Sequence, residues 1–186
     1  MTATVTTHKF TADEYQRMGE VGILCEDDRV ELIEGEIVDM AAIGNRHQAA
    51  VDRLNKLFVQ LAGNEAIVRV QGSVRLNERN EPQPDLVILR PRDDFYVSQF
   101  AGPADTFLVI EVADTTLAYD RDVKSPLYAR TRIQEFWLVD IEDRSITVFR
   151  QPAPDGYSSV RTLRGADNLS PAALPRVSLT PNVLFP

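Results

Sequence analysis

The sequence predicts an α/β (α+β) fold in which a central mixed β-sheet is flanked by helices. Three features carry this expectation. Short apolar runs of strand length occur at residues 85–89 (DLVIL), 107–112 (FLVIEV) and 135–141 (EFWLVDI). Apolar residues recur at helical spacing between 45 and 61. The order of elements is helix, hairpin, helix, several strands, helix, hairpin, which suits a mixed sheet.

Taken in order, residues 11–18 (TADEYQRM) form a short helix, with Thr11 as N-cap and Glu14 at the capping-box spacing. Residues 30–40 (VELIEGEIVDM) read as a hairpin. Two β-prone runs flank Glu34-Gly35, and Gly35 can take the positive φ that such a turn needs. Asn45 can cap a helix that runs to about Leu61, with Val51, Leu54, Leu57, Phe58 and Leu61 as its apolar positions. After Gly63-Asn64 the pattern turns to strands. Residues 66–70 make one, and 73–76 continue it or pair with it. Residues 77–83 (NERNEPQ) form a polar loop, and DLVIL is a short apolar strand led by an acid. A charged loop covers 91–106. FLVIEV, interrupted only by Glu111, suggests a strand buried on both faces.

A helix follows and ends near Arg132. Pro126 lacks an N–H and fits only a first helical turn, so a straight helix begins no earlier than about Asp122. Residues 135–141 and 145–150 (SITVFR) form a hairpin across 142–144, with Trp137 as core. From Gln151 on the chain is Pro-rich, with short β-like pieces such as 160–163.

Residues 1–186 read as a single domain, long enough to bury a core without staples. The hydrophobic share of 44% and charged share of 26% are ordinary for a soluble globular chain. The single cysteine, Cys25, excludes an internal disulfide, points to a reducing compartment and reads as structural or incidental. The opening MTATVTTHKF has no basic start, apolar core or small-residue cleavage site, and no stretch approaches a membrane span. A cytoplasmic location with no membrane partner is therefore expected. The net charge of -8 weighs against a broadly basic nucleic-acid surface. A local patch remains open to Arg121, Arg130 and Arg132 with Arg46 and Arg53, the other reading being a solvated face. With only His8 and His47 present, a multi-histidine zinc site is not expected.

Three charged residues are oddly placed for a purely structural protein. Asp85 opens an apolar strand, Glu111 lies inside FLVIEV, and Lys124 sits where the next helix begins. Burying an unpaired carboxylate is costly, and two acids at adjacent strand ends raise each other's pKa. A divalent cation removes both penalties. Mg2+, for which Mn2+ can substitute, takes hard oxygen ligands and suits phosphodiester hydrolysis; a lysine beside it can stabilise developing charge or orient water. The plainer readings are a loop-terminating Asp85, a Glu111–Lys124 salt bridge, and an Asp120–Lys124 pair on a solvated helix face. Asp120 falls before the helix if Pro126 sets its start. Tyr128, one turn beyond Lys124, faces the same cleft or simply packs.

The run PDLVIL, EVADTT, DRDVKSPLYAR and EFWLVD resembles the Uma-two (Uma2) family of restriction-endonuclease-like domains, within the PD-(D/E)XK nuclease superfamily. The resemblance extends from VELIEGEIVDM through GNRHQ to EFWLVDIEDRSITVFR. It implies a restriction-endonuclease-like core, with Asp85 and Glu111 as metal ligands and the carbonyl of Val112 as a third. The usual superfamily lysine position holds Ala113 here, and the family pattern places the lysine at Lys124. The family also carries an acid matching Glu31 and a histidine matching His47, as possible site-lining residues. From the residues themselves, His47 contacts a phosphate or pairs with an acid, and Glu31 either lines the cleft or belongs to the hairpin.

The expected function is thus a Mg2+-dependent endonuclease that hydrolyses phosphodiester bonds in nucleic acid, with DNA ahead of RNA. The alternative is a catalytically idle binding or assembly module on a nuclease fold. A phosphohydrolase for small phosphoesters is a third reading, and no Walker-type loop supports a triphosphatase. A homodimer is the default expectation, because two symmetric sites can address two strands.

Overall fold

The computed structural model describes residues 6–25 and 27–185, so the first half of MTATVTTHKF lies outside the described residues. Helix α1 (Ala12–Glu20) carries the expected capping box between Thr11 and Glu14. Strands β1 (Val30–Ile33) and β2 (Glu36–Asp39) form a separate antiparallel hairpin. Its turn has positive φ at both Glu34 (53°) and Gly35 (73°), the requirement of a two-residue primed turn. A Cβ at Gly35 would also meet Lys9 Cβ at 2.8 Å, so glycine serves both the turn and the close approach.

Helix α2 (Asn45–Ala62) buries Ala50, Val51, Leu54, Phe58 and Ala62. Two expectations are corrected here. Gly44, not Asn45, is the cap residue, and its carbonyl accepts Gln48 N–H at 3.0 Å. Leu61 turns outward at 44% exposure, because Ala62 takes the buried place at the helix end.

Six strands form the main sheet in the order β3 (Ile67–Val70), β4 (Leu86–Leu89), β5 (Thr106–Ala113), β6 (Glu135–Asp140), β7 (Ser145–Ala153), β8 (Gly156–Arg164). Only β5 and β6 pair in parallel, so the sheet is mixed as expected. One face packs on α2 through Leu86, Ile88, Leu108, Ile110 and Val112. The other packs Val87, Leu89, Val109 and Ala113 against Leu127 and Tyr128. Buried on both faces, β5 takes the continuous apolar run of a central strand.

Residues 73–76 neither continue β3 nor pair with it. Gln71 has a φ of 47°, which ends the strand, and Val74 and Leu76 donate instead to the carbonyls of Pro82 and Asn80. The Pro-rich tail is also more regular than expected. β8 is a nine-residue strand paired with β7 from Ser145↔Arg164 to Ala153↔Gly156. Its side chains are mostly exposed, so the pairing is carried by backbone and leaves little alternation in the sequence.

The crossover from β5 to β6 begins earlier than Asp122. It runs as α3 (Leu117–Tyr119), a π turn (Asp120–Lys124) and α4 (Ser125–Arg130). The helix is not straight. Ser125 N–H bonds the Asp120 carbonyl five residues back, just before Pro126. The wide turn absorbs the proline and lets helical backbone extend to its N-terminal side. Among the described residues, no helix is long and apolar enough to cross a membrane.

Candidate active site

The β4–β5 register pairs Val87 with Val109 and Leu86 with Ile110, so one step further sets Asp85 opposite Glu111. Both follow the face of Val87, Val109 and Ala113, toward α4. Asp85 Oδ2 accepts the backbone N–H of Val112 at 2.8 Å and meets His47 Nε2 at 3.0 Å. Glu111 Oε1 accepts from Lys124 Nζ at 3.1 Å and from Tyr128 OH at 2.6 Å. Lys124 Nζ also lies 3.0 Å from Glu31 Oε2, which accepts Gln83 N–H at 3.2 Å. Asp85, Glu111, Val112, Lys124, Glu31 and His47 therefore all line one cleft of about 530 Å3.

Each side chain is aimed by its element. Strand pairing sets Asp85 and Glu111; β1, whose Leu32 and Ile33 are core, turns Glu31 inward. The first turn of α2 points His47 at Asp85. The π turn carries both Asp120 and Lys124 into the interior, each 4% exposed. In a regular surface helix this pair would be a solvated i,i+4 couple. Here Asp120 is buried and accepts Thr116 Oγ1 at 2.6 Å.

Burial raises the pKa of Glu111 to about 8, with Asp120, Asp85 and Glu31 adding to the rise and Lys124 opposing it. Asp120 is raised by burial too, against the pull of Lys124 and Thr116. For Lys124, burial works against the charge, but Glu111, Glu31 and Asp120 together outweigh it and hold the ammonium above its usual range. Lys124 is the group that stays charged. Enclosed among acids, Glu111 keeps its proton more tightly than a free carboxyl would. The hydrogen bond to Asp85 raises the His47 pKa, partly offset by burial.

The donor set has room for a cation. Among the described residues, Asp85 Oδ1 and Glu111 Oε2 have no hydrogen-bond partner. The carbonyl of Val112 points to the same edge of β5 as its N–H, the Asp85 side. Six acids, Glu31, Asp39, Asp85, Glu111, Asp114 and Asp120, line the cleft with one lysine, one arginine (Arg29) and one histidine. Among the described residues, no three His, Cys, Asp or Glu side chains are grouped to cage a metal. An ion held by Asp85, Glu111 and the Val112 carbonyl would have its remaining positions open to water and substrate.

The model of the family described as "Putative restriction endonuclease" (Uma2) matches residues 12–182. This chain belongs to the Uma2 family. Its fold is similar to the crystal structure of a "putative nuclease belonging to DUF820" from Anabaena variabilis. The TM-score is 0.75 at 18% identity, over 95% of this chain and 97% of that one. At such identity the likeness concerns the fold alone. No functionally curated protein matches the sequence.

One cleft group of this Uma2 protein escapes sequence reading: Asp120 reads as part of a solvated pair, and only the π turn reveals its inward course. Tyr128, for which the sequence offers the cleft or packing, packs in the core and donates its hydroxyl to Glu111 from there. The five arginines do not make one patch. Arg121 pairs with Asp122 and Arg130 with Glu34, as solvated surface couples. Arg132 lies beyond α4 at a positive φ of 67°. Arg46 and Arg53 line a second hollow. Cys25 is exposed, away from the cleft lining.

Proposed function

We propose that this Uma2 protein is a Mg2+-dependent endonuclease that hydrolyses phosphodiester bonds in DNA. The observation that carries the proposal is the pair Asp85 and Glu111. They stand opposite each other on neighbouring strands, each with one oxygen left over, beside a charged lysine. Asp85, Glu111 and the Val112 carbonyl would hold the ion. When bound, Mg2+ supplies Lewis-acid stabilisation of charge on the phosphodiester oxygens and makes water more acidic.

The chain's own groups do the positioning. His47 and the Val112 N–H hold Asp85 Oδ2, so the carboxylate cannot rotate away from the cleft. Tyr128 and Lys124 occupy Glu111 Oε1 and leave Oε2 toward the cleft. Lys124, fixed by Glu31 from the far side, offers positive charge to the non-bridging phosphate oxygens as they gain charge in the transition state. The half-enclosed cleft lowers the local dielectric, which strengthens that interaction.

The test is nicking of plasmid and cleavage of single-stranded DNA with Mg2+ or Mn2+. Metal-dependent cleavage that Asp85→Ala abolishes supports the proposal; equal activity in both preparations would sink it. One observation favours the idle-module reading: Lys124 already bridges Glu31 and Glu111 and supplies part of the compensation a cation would bring. Calorimetry separates the two, since an idle module takes up neither Mg2+ nor Mn2+.

A further inference from the structure

We infer that a second hollow, across the first turn of α2 from the catalytic cleft, is a phosphate subsite for the DNA backbone flanking the scissile bond. The inference rests on the nuclease reading above and names where its substrate strand runs. The hollow has a volume of about 390 Å3. Among the described residues its lining includes Arg46, Arg53 and Arg144 and no Asp or Glu, and Ile141 and Leu184 are among its apolar walls. In a chain of net charge -8, three guanidinium groups gathered in one hollow are a local concentration of positive side chains.

The hollow adjoins the cleft along the first turn of α2. Arg46, Ala50 and Arg53 share one face of α2 at helical spacing, while Gly44 and His47 line the catalytic side of the same turn. Arg46 itself reaches Asp114, a cleft residue, at 3.6 Å. A strand leaving the scissile position over this turn would pass from Asp85 and His47 directly to Arg46.

The arginines suit a phosphate. Arg46 is 59% exposed and its partner Glu142 82%, so that ion pair is well solvated and costs little to exchange for a phosphate. Arg53 donates to the Leu184 carbonyl at 2.9 Å, and Arg144 to the Phe185 carbonyl. These bonds steady the guanidinium planes, and a guanidinium carries five N–H donors in a fork that matches a phosphate. The first turn of α2 has no side-chain cap, so its N–H groups add a favourable field. The apolar walls offer no pattern that reads base edges, so the subsite holds backbone of any sequence.

The experiment is fluorescence anisotropy on a labelled DNA duplex of two helical turns, in an Asp85→Ala background to stop turnover. Salt is varied from about 50 to 200 mM. Replacing Arg46 and Arg53 together by Gln is expected to weaken binding about tenfold. It should also lower the slope of log affinity against log salt by about 2, near 0.9 for each phosphate that is no longer neutralised. Arg46→Gln alone, at a solvated position, should lower the slope by about 1 without a folding complication. Arg53→Lys, which keeps the charge, should retain most of the slope. Unchanged affinity and slope in both Gln variants overturn the subsite, even if the wild type cleaves DNA; absence of any DNA binding overturns it too. Arginine-dependent binding without metal-dependent cleavage leaves the subsite standing and removes the nuclease reading.

Discussion

Asp85 Oδ2 accepts the backbone N–H of Val112 at 2.8 Å, so two of the three groups suited to hold a cation are tied to each other by the fold. The bond joins the entry of β4 to the end of β5 and leaves Asp85 Oδ1 without a hydrogen-bond partner among the described residues. Positioning thus precedes any ligand, and each neighbour of this bond has a testable consequence.

Asp85→Asn keeps an acceptor for the Val112 N–H and should fold with near wild-type stability. Asp85→Ala leaves that buried N–H without a partner and should cost about 1–3 kcal/mol, read by urea denaturation. Both should lower metal-dependent cleavage on the order of 100-fold or more. A retained rate in Asp85→Asn would remove Asp85 from the metal site.

With the Glu111 pKa raised to about 8, the folded protein holds this proton more tightly than the unfolded chain, whose value is 4.5. Its contribution to stability is fully present below pH 4.5 and is lost as pH rises through 8, in the absence of metal. Glu111→Gln should flatten that decline in thermal melts. A cation must displace the proton, so Mg2+ affinity should rise about tenfold per pH unit up to the Glu111 value and then level. Calorimetry in buffers of differing ionisation enthalpy counts the protons released; none released would contradict the assignment.

Lys124→Met leaves Glu31 and Glu111 facing each other in a buried cleft. The cost should be about 3–5 kcal/mol above the Glu111 value of about 8, where both carboxylates are ionised, and smaller below it, where Glu111 holds its proton. Denaturation at two pH values checks this, and a pH-independent loss would point to packing alone.

Asp120→Asn keeps an acceptor for Thr116 Oγ1 and removes one negative charge from the cluster. Because Asp120 helps raise the Glu111 pKa, the pH profile of Mg2+ uptake should move to lower pH, with stability equal to wild type or higher. A profile that stays in place would mean that Asp120 does not act on Glu111.

The strands were legible where their residues declare burial. FLVIEV and EFWLVDI are central because no other environment suits runs so apolar, and the Glu34-Gly35 turn announces itself by its need for positive φ. β8 was legible only in its piece 160–163, because an edge strand with exposed side chains is held by backbone bonds that any side chain permits. Asp85, Glu111 and Lys124 stood out as charges in or beside apolar sequence, and all three line one cleft. For His47 the sequence left a phosphate contact and an acid pair open, and for Glu31 the cleft and the hairpin; distances supply their partners, Asp85 and Lys124.

By itself, then, the sequence determined the type of the central strands, the acid pair and the lysine, because burial and charge are local chemical facts. Only the tertiary structure decided the course of the π turn, the inward place of Asp120, the hydroxyl of Tyr128 on Glu111, and the gathering of Arg46, Arg53 and Arg144. The physical reason is common to them. Each depends on which face of an element meets which distant neighbour, and that is set by strand register and helix winding, not by any one residue's preference.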